Sequence, residues 1–490
     1  MKIEFTNTID QTGAVCVAVY AKNKTSSAAD VMDTATDGMV RKAIASARFT
    51  GKAGQVLEVL APSGVKADRV IIAGVGSQQD NMEQAWESFG AGVMQKLITS
   101  GVSAITFVVG ALDGAHAARI VFGAMLAAYR FDQHRTTLSD DKKPSVTHIR
   151  IAGEQHASAK QQYAALHELA QGVYLARDLV SEPGNIVNPE SFAARVQQLE
   201  VHGLEIEILN EKDMAKLGMH SLLSVGAGSN YGSKLAIMKW SGGKKGDAPV
   251  VLVGKGVTFD TGGISLKPSN GMWDMKGDMG GAAAVTGAMR ALAGRKANAN
   301  VIGIVGLVEN MPDAAATRPG DIITSANGQT IEVQNTDAEG RLVLVDALWY
   351  GITSFKPCRI IDLATLTGAI IVSLGQENGG LFSNDDSLAN DLSAAGAASG
   401  EPLWRLPLGS GYDKLIDTPN ADMKNIGGAG AGSITAAQFL QRFVGDVPWA
   451  HLDIAGMAWK DKRADPRESV WATGFGVRLL ERFISLSHED

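Results

Sequence analysis

The residues with the clearest chemical potential lie in one acidic loop, within the segment EVQNTDAEGRLVLVDAL at 332–348. A β-type run gives way there to an apolar pattern with helical spacing. Asp337, Glu339 and Arg341 crowd the loop between them, after a strand, where open α/β sheets carry their chemistry. Two carboxylates and a guanidinium so close together favour a hard cation and an anionic reactant. A polar turn that caps a helix explains this segment equally well when it is taken alone.

A second group of candidate residues follows the strand-like run 250–253. Lys255 has a glycine on each side, and the glycine pair 262–263 lets the backbone fold tightly around Asp260. The segment is not a phosphate-binding P-loop, because the upstream glycine and the trailing Ser or Thr of that motif are missing. Asp278 ends the nearby run WDMKGD and, taken alone, is predicted to be the N-cap of the helix that follows.

Four carboxylates from these segments are candidate metal ligands, namely Asp260, Asp278, Asp337 and Glu339. If they converge, either some of them are protonated or a metal neutralises them, because like charges repel. An oxygen-rich site without a nearby histidine suits hard divalent ions and has room for two. A bound metal also favours a neutral amine, which makes Lys255 a fifth candidate ligand. Spacing alone does not decide whether these side chains meet.

Two other hydrolase chemistries are disfavoured. The nine histidines form no HExxH motif and no pair spaced four residues apart. A histidine-based zinc protease would need such a pair on one helix face. No serine stands in a Gly-x-Ser-x-Gly elbow, which disfavours a Ser–His–Asp hydrolase of the α/β type.

The elements that must position these residues alternate between strand and helix patterns. In the first 150 residues we predict strands at 15–20, 55–60, 70–73 and 104–109 and helices at 82–97 and 115–129. Gly74 and Gly76 follow the third of these strands, but Gln79 stands where a dinucleotide-binding fingerprint needs a third small residue. That motif is therefore disfavoured here.

The alternation of strand and helix patterns resumes, over a longer stretch of chain, after a long amphipathic helix pattern at 156–179. We predict strands at 236–239, 249–253, 300–308, 321–325, 330–334 and 359–364, and helices at 278–293 and 434–443. The dipeptide Asn327-Gly328 predicts a hairpin. The glycine-rich run 425–433 favours a tight or mobile turn over an anion cradle. The predicted organisation is an N-terminal α/β domain at 1–155, a bridging helix at 156–180 and a catalytic domain at 181–490.

Composition narrows the class of protein. The chain has 490 residues, 45% of them hydrophobic and 20% charged, with 56 glycines, as in a loop-rich α/β protein. Its net charge of −7 argues against a dedicated nucleic-acid binder. Residues 1–150 are closer to neutral, with 16 Lys and Arg against 14 Asp and Glu, so a local basic patch stays open there. Cys16 and Cys358 have no pairing framework, and no apolar run approaches the roughly 18–20 residues that span a bilayer. A cytoplasmic protein is expected.

The acidic loop at 332–348 and the second group of candidate residues at 255–278 together resemble the leucyl aminopeptidase (cytosol aminopeptidase) family. NTDAEGRL at 335–342 matches that family's signature, and GKGVTFDTGGISLK at 254–267, KGDMGG at 276–281 and DLATLTG at 362–368 match further motifs. ARDLVSEPGN at 176–185 and YRFD at 129–132 also match. The resemblance covers most of the chain, is dense from about residue 170, and shows no departure at a metal-binding position. It implies a smaller N-terminal α/β domain and a larger zinc-exopeptidase-type domain with a mixed central sheet flanked by helices.

The resemblance also implies roles for individual residues. Two adjacent divalent ions, manganese or zinc, would share Asp260 and Glu339. Lys255 and Asp278 would complete one site, and Asp337 would serve the other. Lys267 and Arg341 would be the catalytic residues that bind no metal, with bicarbonate held by Arg341 as the general base. The positions that match the family's substrate cleft are Met275, Asn335, Thr365, Leu366 and Gly368.

The expected reaction is removal of the N-terminal residue, preferably leucine or another apolar residue, from a peptide with a free amino terminus. A hydroxide between two ions would attack the scissile carbonyl, and Lys267 would stabilise the oxyanion. The resemblance further implies a homohexamer. Two alternatives stay open: the same ions acting on phosphate esters, and a secondary DNA-binding role of the kind found in some bacterial members.

Overall fold

The structure is a computed structural model that describes residues 1–77 and 82–489, so Gln79 lies outside the described residues. It forms two compact units, Met1–Ala170 with Arg463–Ser469, and Gln171–Lys462 with Val470–Asp490. The first boundary falls inside the helix His156–Ser181. No sequence pattern predicts that Arg463–Ser469 belongs to the first unit.

The first unit is built on a twisted, mostly parallel sheet. Its strands are β1 (Lys2–Thr6), β2 (Ala14–Tyr20), β3 (Lys24–Thr25), β4 (Val56–Leu60), β5 (Arg69–Gly76), β6 (Ala104–Gly110) and β7 (His148–Gly153). Its helices are α1 (Ser27–Ala35), α2 (Met39–Ser46), α3 (Met82–Leu97), α4 (Gly114–Ala128) and the start of α5 (His156–Ser181). The strand order is β1-β7-β6-β2-β5-β4, with β3 paired to the end of β2.

The central strands of this sheet are runs of buried apolar residues. The side chains of β2 from Ala14 to Val19 are all buried, as expected for a parallel strand covered on both faces. β1 lies at an edge of the sheet, and its residues alternate between polar and apolar types. β3 and β4 pair antiparallel with β2 and β5, while the other pairs are parallel.

The second unit contains the remaining elements. Its strands are β8 (Glu205–Leu209), β9 (Lys234–Ser241), β10 (Val250–Asp260), β11 (Asn300–Asn310), β12 (Ile322–Thr324), β13 (Thr330–Glu332), β14 (Arg359–Ala364), β15 (Gly379–Ser383), β16 (Leu403–Arg405), β17 (Met423–Lys424), β18 (Trp449–Asp453), β19 (Trp459–Lys460) and β20 (Trp471–Ala472). Its helices are α6 (Pro189–Gln197), α7 (Glu211–Lys216), α8 (His220–Gly226), α9 (Gly280–Gly294), α10 (Gly340–Phe355), α11 (Gly368–Leu374), α12 (Asp386–Ser399), α13 (Ser410–Asp413), α14 (Gly432–Gln441), α15 (Ala455–Ala458) and α16 (Val477–Ser487).

An eight-stranded mixed sheet organises this unit, in the order β16-β15-β18-β14-β10-β11-β9-β8 among the described residues. The four central strands, β18, β14, β10 and β11, are parallel, so their carboxyl ends meet at one edge. α9 is buried over almost its whole length, and α10 is buried continuously from Gly340 to Leu348. The predicted α/β class, with a larger second unit and a mixed central sheet flanked by helices, is confirmed.

The predicted elements are found with boundary shifts of a few residues. β10 is the largest departure, because it continues past Val253 through the glycine-flanked Lys255 to Asp260. The hairpin at Asn327-Gly328 is confirmed by the antiparallel pair β12–β13. Both cysteines are free thiols, as predicted. Among the described residues we find no helix with the length and apolarity that crossing a membrane requires.

Candidate active site

Strand β10 carries the first two candidate ligands at the edge where the parallel strands end. Lys255 and Asp260 are five residues apart, which in a regular strand would place their side chains on opposite faces. The pairing of β10 with β11 shifts register between Val257 and Asp260. Such a bulge turns the end of the strand, so both side chains reach one site.

Asp260 is held by backbone and side-chain donors. Its Oδ1 accepts hydrogen bonds from the Gly262 backbone N–H at 2.8 Å and from Asn310 Nδ2 at 2.8 Å. Gly262 has φ +85°, and a Cβ there would lie 2.4 Å from the Ser265 carbonyl oxygen and 2.8 Å from Asp337 Oδ1. Only glycine allows this tight turn. Asp260 Oδ2 lies 2.8 Å from Lys267 Nζ.

Lys255 lies at the centre of the other half of the cluster and is only 2% exposed. Its Nζ donates to Asp278 Oδ1 at 2.8 Å and to the Thr365 carbonyl oxygen at 2.9 Å. It also lies 2.9 Å from Glu339 Oε1. Two residues outside the strands and helices, Asp278 and Thr365, and the residue before α10, Glu339, therefore meet at the amine of one strand residue.

Asp278 does not cap a helix, so the local prediction of an N-cap is wrong. α9 begins two residues later, its N-cap position is Met279, and no side chain caps it. The Asp278 carboxylate instead accepts from Lys255 and from Thr365 Oγ1 at 2.8 Å, because the buried cluster offers charged partners. Its Oδ2 is buried and has no hydrogen-bond partner within residues 1–77 and 82–489.

The acidic loop before α10 supplies the remaining two carboxylates. Asp337 Oδ1 lies 2.5 Å from Lys267 Nζ, so Lys267 joins Asp337 to Asp260. Glu339 is 3% exposed and stands at the N-cap position of α10 without making a side-chain cap. The alternative that this loop is only a polar cap is therefore wrong for Glu339.

The four carboxylates converge, and their donor set fits a divalent cation. Oxygens of Asp260, Asp337 and Glu339 all lie within 4.8 Å of one another. Asp278 joins them through Lys255, which it shares with Glu339. Two ammonium groups face four carboxylates, so the cluster has more negative than positive charge. Together with the orphaned Asp278 Oδ2, this excess fits hard cations with oxygen ligands.

Proton affinities in the cluster are strongly perturbed. Burial raises the pKa of Asp260 and of Asp278 above the usual value for aspartate, and Glu339 raises both further. Burial lowers the pKa of Lys255, but Asp278, Glu339 and Asp260 outweigh it and hold the pKa above its usual range. The pKa of Lys267 is raised in the same way by Asp260 and Asp337, against the effect of burial. Perturbations of this kind are typical of functional sites.

Arg341 lies in the first turn of α10 and is 7% exposed. One of its terminal nitrogens donates to the Asn425 carbonyl oxygen at 2.7 Å. Its Nε is buried and has no hydrogen-bond partner in the part of the chain that the structure describes. Burial lowers the pKa of Arg341 to about 10, with Glu339 and Asp453 opposing the change. An unpaired guanidinium edge at a buried site suits a planar anion.

The five predicted cleft residues differ in how directly they border the cluster. Thr365 contacts Lys255 and Asp278 as described above. Leu366 follows it and donates its backbone N–H to Asp453 Oδ1 at 3.2 Å. Asn335 Oδ1 accepts from the Asp337 backbone N–H at 2.8 Å.

The other two cleft residues adjoin the site along the chain. The Met275 carbonyl oxygen accepts from the Asp278 backbone N–H at 3.2 Å. Gly368 is exposed and begins α11.

Sequence inspection missed three buried residues that hold the site in place. Asn310 Nδ2 bridges Asp260 and the Thr336 carbonyl oxygen. Asn425 Nδ2 donates to the Asn335 carbonyl oxygen at 2.6 Å, which fixes the acidic loop. Asp453 accepts from Leu366 N and from Thr367 Oγ1. Asn310 and Asp453 each end a strand beside β10 or β14, so their position at a strand end was the available signal.

Comparison with known proteins places this geometry in a family. Residues 174–481 match the model of the catalytic domain of the cytosol aminopeptidase family, and residues 16–137 match the model of its N-terminal domain. A probable cytosol aminopeptidase of Caulobacter vibrioides is 55% identical over 493 aligned residues, covering 100% of both chains. One of Rhodopseudomonas palustris is 52% identical over 463 residues, covering 94% of this chain and 92% of its own.

Solved structures agree. A mutant of tomato leucine aminopeptidase superposes with a TM-score of 0.87 at 32% identity, covering 99% of this chain and 96% of its own. The bottromycin maturation enzyme BotP in complex with Mn superposes with a TM-score of 0.82 at 32% identity, covering 97% and 98%. With the carboxylate cluster at the sheet edge, these matches show that the chain belongs to the cytosol aminopeptidase family and is a metal-dependent aminopeptidase.

Proposed function

We propose that this aminopeptidase holds two divalent ions per chain, manganese or zinc, on the cluster of Lys255, Asp260, Asp278, Asp337 and Glu339. The observation that carries the proposal is the convergence of four buried or half-buried carboxylates on two amines. Asp260 and Glu339 lie between the two halves and would bridge both ions. Lys255 and Asp278 would complete one site, and Asp337 the other.

Two divalent ions held by these residues would supply Lewis acidity, which would lower the pKa of a shared water toward neutrality, so that it could act as a hydroxide nucleophile, and would polarise the scissile carbonyl. The chain's own residues hold the metal ligands in place. The carboxylate hydrogen bonds from Gly262 and Asn310 fix Asp260 before substrate arrives. Preorganisation of this kind lowers the reorganisation cost of the reaction.

Lys267 is the proposed oxyanion donor. Its amine reaches the cluster from a loop rather than from the sheet, and its side chain is 20% exposed. It is therefore the ammonium group of the cluster that can approach a substrate oxygen. A point charge on a flexible stem suits that task.

Arg341 is the proposed holder of bicarbonate, the general base that takes a proton from the nucleophilic water. The Nε of Arg341, which has no hydrogen-bond partner among the described residues, supports a bidentate anion at a guanidinium that Asn425 already holds by one terminal nitrogen. The sequence motifs that form the site contain no histidine that could act as the general base instead. Half-buried Leu366 supports an apolar wall, and hence the preference for leucine and similar residues at a free N-terminus.

The decisive experiment separates ligand from catalytic residue. Asp260→Ala should lose metal and nearly all hydrolysis of leucyl p-nitroanilide, because both ions share this carboxylate. Lys267→Ala should keep its metal but turn over about 10²–10³-fold more slowly, the usual loss for an oxyanion donor. Metal per chain by mass spectrometry and kcat are the measurements, with the exposed Lys462→Ala as control.

Retained turnover in Asp260→Ala would overturn the dinuclear proposal, and metal loss in Lys267→Ala would overturn the role of Lys267. Two further assays test substrate class. N-acetyl-leucyl p-nitroanilide should be inert because it has no free amine. Nitrophenyl phosphate should not be hydrolysed, since the site has none of the histidines that dinuclear phosphoesterases usually recruit.

Large apolar side chains that are exposed in one chain, with Val372 at 89% and Leu266 at 61%, support burial in a homohexamer. Analytical ultracentrifugation at several protein concentrations tests this oligomeric state.

The lack of a disulfide framework supports a cytoplasmic location. DNA binding draws no support from the net charge of −7, so a gel shift at low salt is expected to be negative.

A further inference from the structure

Three of the eight tryptophans in the chain form one cluster at the surface of the second unit, namely Trp273, Trp459 and Trp471. Ring centroids lie 5.3 Å apart in the two pairs that Trp471 makes, and 6.3 Å apart for Trp273 and Trp459. Trp273 is 56% exposed and Trp471 is 38% exposed, so much of their ring surface is open to solvent. Exposed apolar patches of this kind mark binding surfaces.

The cluster adjoins the metal site through one short turn. The ring of Trp459 packs so closely on Gly277 that a Cβ there would lie 3.3 Å from Trp459 Cε3. Gly277 directly precedes Asp278, one of the four carboxylates of the metal cluster. The 3₁₀ turn Met272–Gly277 therefore carries Trp273 near its start and ends at the metal cluster.

Trp471 has a backbone conformation that a bulky residue rarely adopts. Its φ is +68°, in the left-handed region that favours glycine. The antiparallel pair β19–β20 holds it there, beside Trp459. Because the ring is also 38% exposed, its burial only partly offsets the strain. Strain of this kind is concentrated at functional sites, which indicates a task for the ring beyond packing.

The position of the cluster favours one occupant, the part of the peptide substrate that follows the scissile bond. The first residue of a substrate ends at its free amine, so the protein can enclose that side chain. The later residues must leave the site across the protein surface, and an exposed patch that adjoins Asp278 is a surface on which they can pack. Aromatic rings pack on one another edge-to-face or offset, so an aromatic side chain is complementary to these indoles.

We propose that Trp273 and Trp471 bind an aromatic side chain of the peptide substrate at a position after the scissile bond, and that the enzyme prefers peptides that carry one there. Half-buried Trp459 supports both rings and is itself held by a hydrogen bond from its Nε1 to Asp274 Oδ1 at 3.2 Å. This preference rests on the proposed function, in which Asp278 is a metal ligand, and adds to the preference for the first residue.

Four peptides with a free amine test the proposal on the full-length metal-loaded enzyme. Leu-Phe-Gly-Gly, Leu-Gly-Phe-Gly and Leu-Gly-Gly-Phe are compared with Leu-Gly-Gly-Gly through kcat/KM for the release of leucine. At least one of the three phenylalanine peptides should exceed the glycine peptide about tenfold, which corresponds to about 1.4 kcal/mol of transition-state binding.

Variants then assign that ratio to the cluster. Trp273→Ala and Trp471→Gly should each lower it at least about threefold, because each removes one exposed indole. Glycine adopts the backbone of residue 471 without strain, so a lower ratio in Trp471→Gly does not come from a distorted hairpin. Trp273→Phe should keep most of the ratio, since an aromatic face remains. Trp404→Ala, which removes a 62% exposed indole of β16, is the matched control and should keep the ratio of the wild type.

The outcomes separate this preference from the proposed function. No release of leucine from any of the four peptides would overturn the proposed function, whereas equal kcat/KM for all four overturns only the preference for a later aromatic residue. A ratio that survives both Trp273→Ala and Trp471→Gly overturns the role of the cluster. A loss confined to Phe-Gly-Gly-Gly as substrate overturns it too, because the cluster then belongs to the pocket of the first residue. A changed oligomeric state of Trp273→Ala in analytical ultracentrifugation also overturns it, because the cluster is then an interface between copies.

Discussion

Some residues of this site contact the carboxylate cluster directly, and others position the segments around it. Lys255 and Lys267 each join two of the four carboxylates, so they hold ligands in place as well as providing charge. Other residues act one step further from the reaction. Asp453 is 1% exposed and binds the backbone of Leu366 and the hydroxyl of Thr367, whose segment carries the proposed cleft wall.

Asp453→Asn should therefore change substrate binding more than metal binding. An amide keeps one acceptor oxygen and cannot accept from Leu366, Thr367 and Ala455 together. A hydrogen bond to a charged group contributes about 1.5–3 kcal/mol, so kcat/KM for leucyl p-nitroanilide should fall by about tenfold or more, mainly through KM. Thr367→Val should give a smaller change in the same direction. If the metal content of Asp453→Asn falls with its activity, Asp453 supports the cluster and not the cleft.

Elements show what the sequence could and could not reveal. The strand before Lys255 and the helix after Gly340 follow from apolar periodicity, and the acidic loop between strand and helix follows from its composition. The bulge that brings Lys255 and Asp260 to one side has no local pattern, because it depends on pairing with β11. For Asp278 a local pattern exists, but it predicts the wrong structure. Its sequence context favours a helix cap, and a contact with Lys255, 23 residues away in the chain, outweighs that preference.

Helix α10 and strand β10 meet so closely that Gly340 has no room for a side chain. A Cβ at Gly340 would lie 2.6 Å from Lys255 Cε and 2.8 Å from its Nζ. Gly340→Ala should displace the amine and lower metal content and activity. The melting temperature should fall together with the metal content, because a ligand that binds only the folded state stabilises it. Gly411→Ala, a helical glycine with open space around it, is the control and should leave activity unchanged. Full metal content in Gly340→Ala would contradict the packing argument.

The same helix carries a buried carboxylate that should make stability depend on pH. Burial raises the pKa of Asp346 to about 7, against hydrogen bonds from the backbone of Ala326 and Leu222. Between its ordinary pKa and 7 the folded state holds a proton that the unfolded state has lost, so stability falls as pH rises through this window.

Thermal melting of wild type and Asp346→Asn at pH 5, 6, 7 and 8 isolates this effect. The melting temperature of wild type relative to the variant should decrease with pH and level off above 7. Asp422→Asn should show a constant difference over the same range, because backbone and side-chain bonds from Thr330 lower the pKa of Asp422. A pH-independent difference for Asp346→Asn would show that Asp346 ionises in the usual range.

At the scale of the molecule, charge is divided unequally. Residues 151–490 carry 29 Lys and Arg against 38 Asp and Glu, while the first 150 residues are close to neutral. The acidic excess belongs to the part of the chain that holds the cluster, where four carboxylates face two amines. Repulsion among them opposes folding of the second unit unless cations bind.

Removal of metal should therefore destabilise the protein as well as inactivate it. A ligand that binds only the folded state stabilises it by RT ln(1 + [L]/Kd), about 2.7 kcal/mol at a hundredfold excess over Kd. Chelation followed by dialysis should lower the melting temperature, and added Mn²⁺ should restore both the temperature and the hydrolysis of leucyl p-nitroanilide. Asp260→Ala should melt at the same temperature before and after chelation, because it has lost the carboxylate that both ions share. A drop on chelation in that variant as large as in wild type would place the stabilising metal outside the cluster.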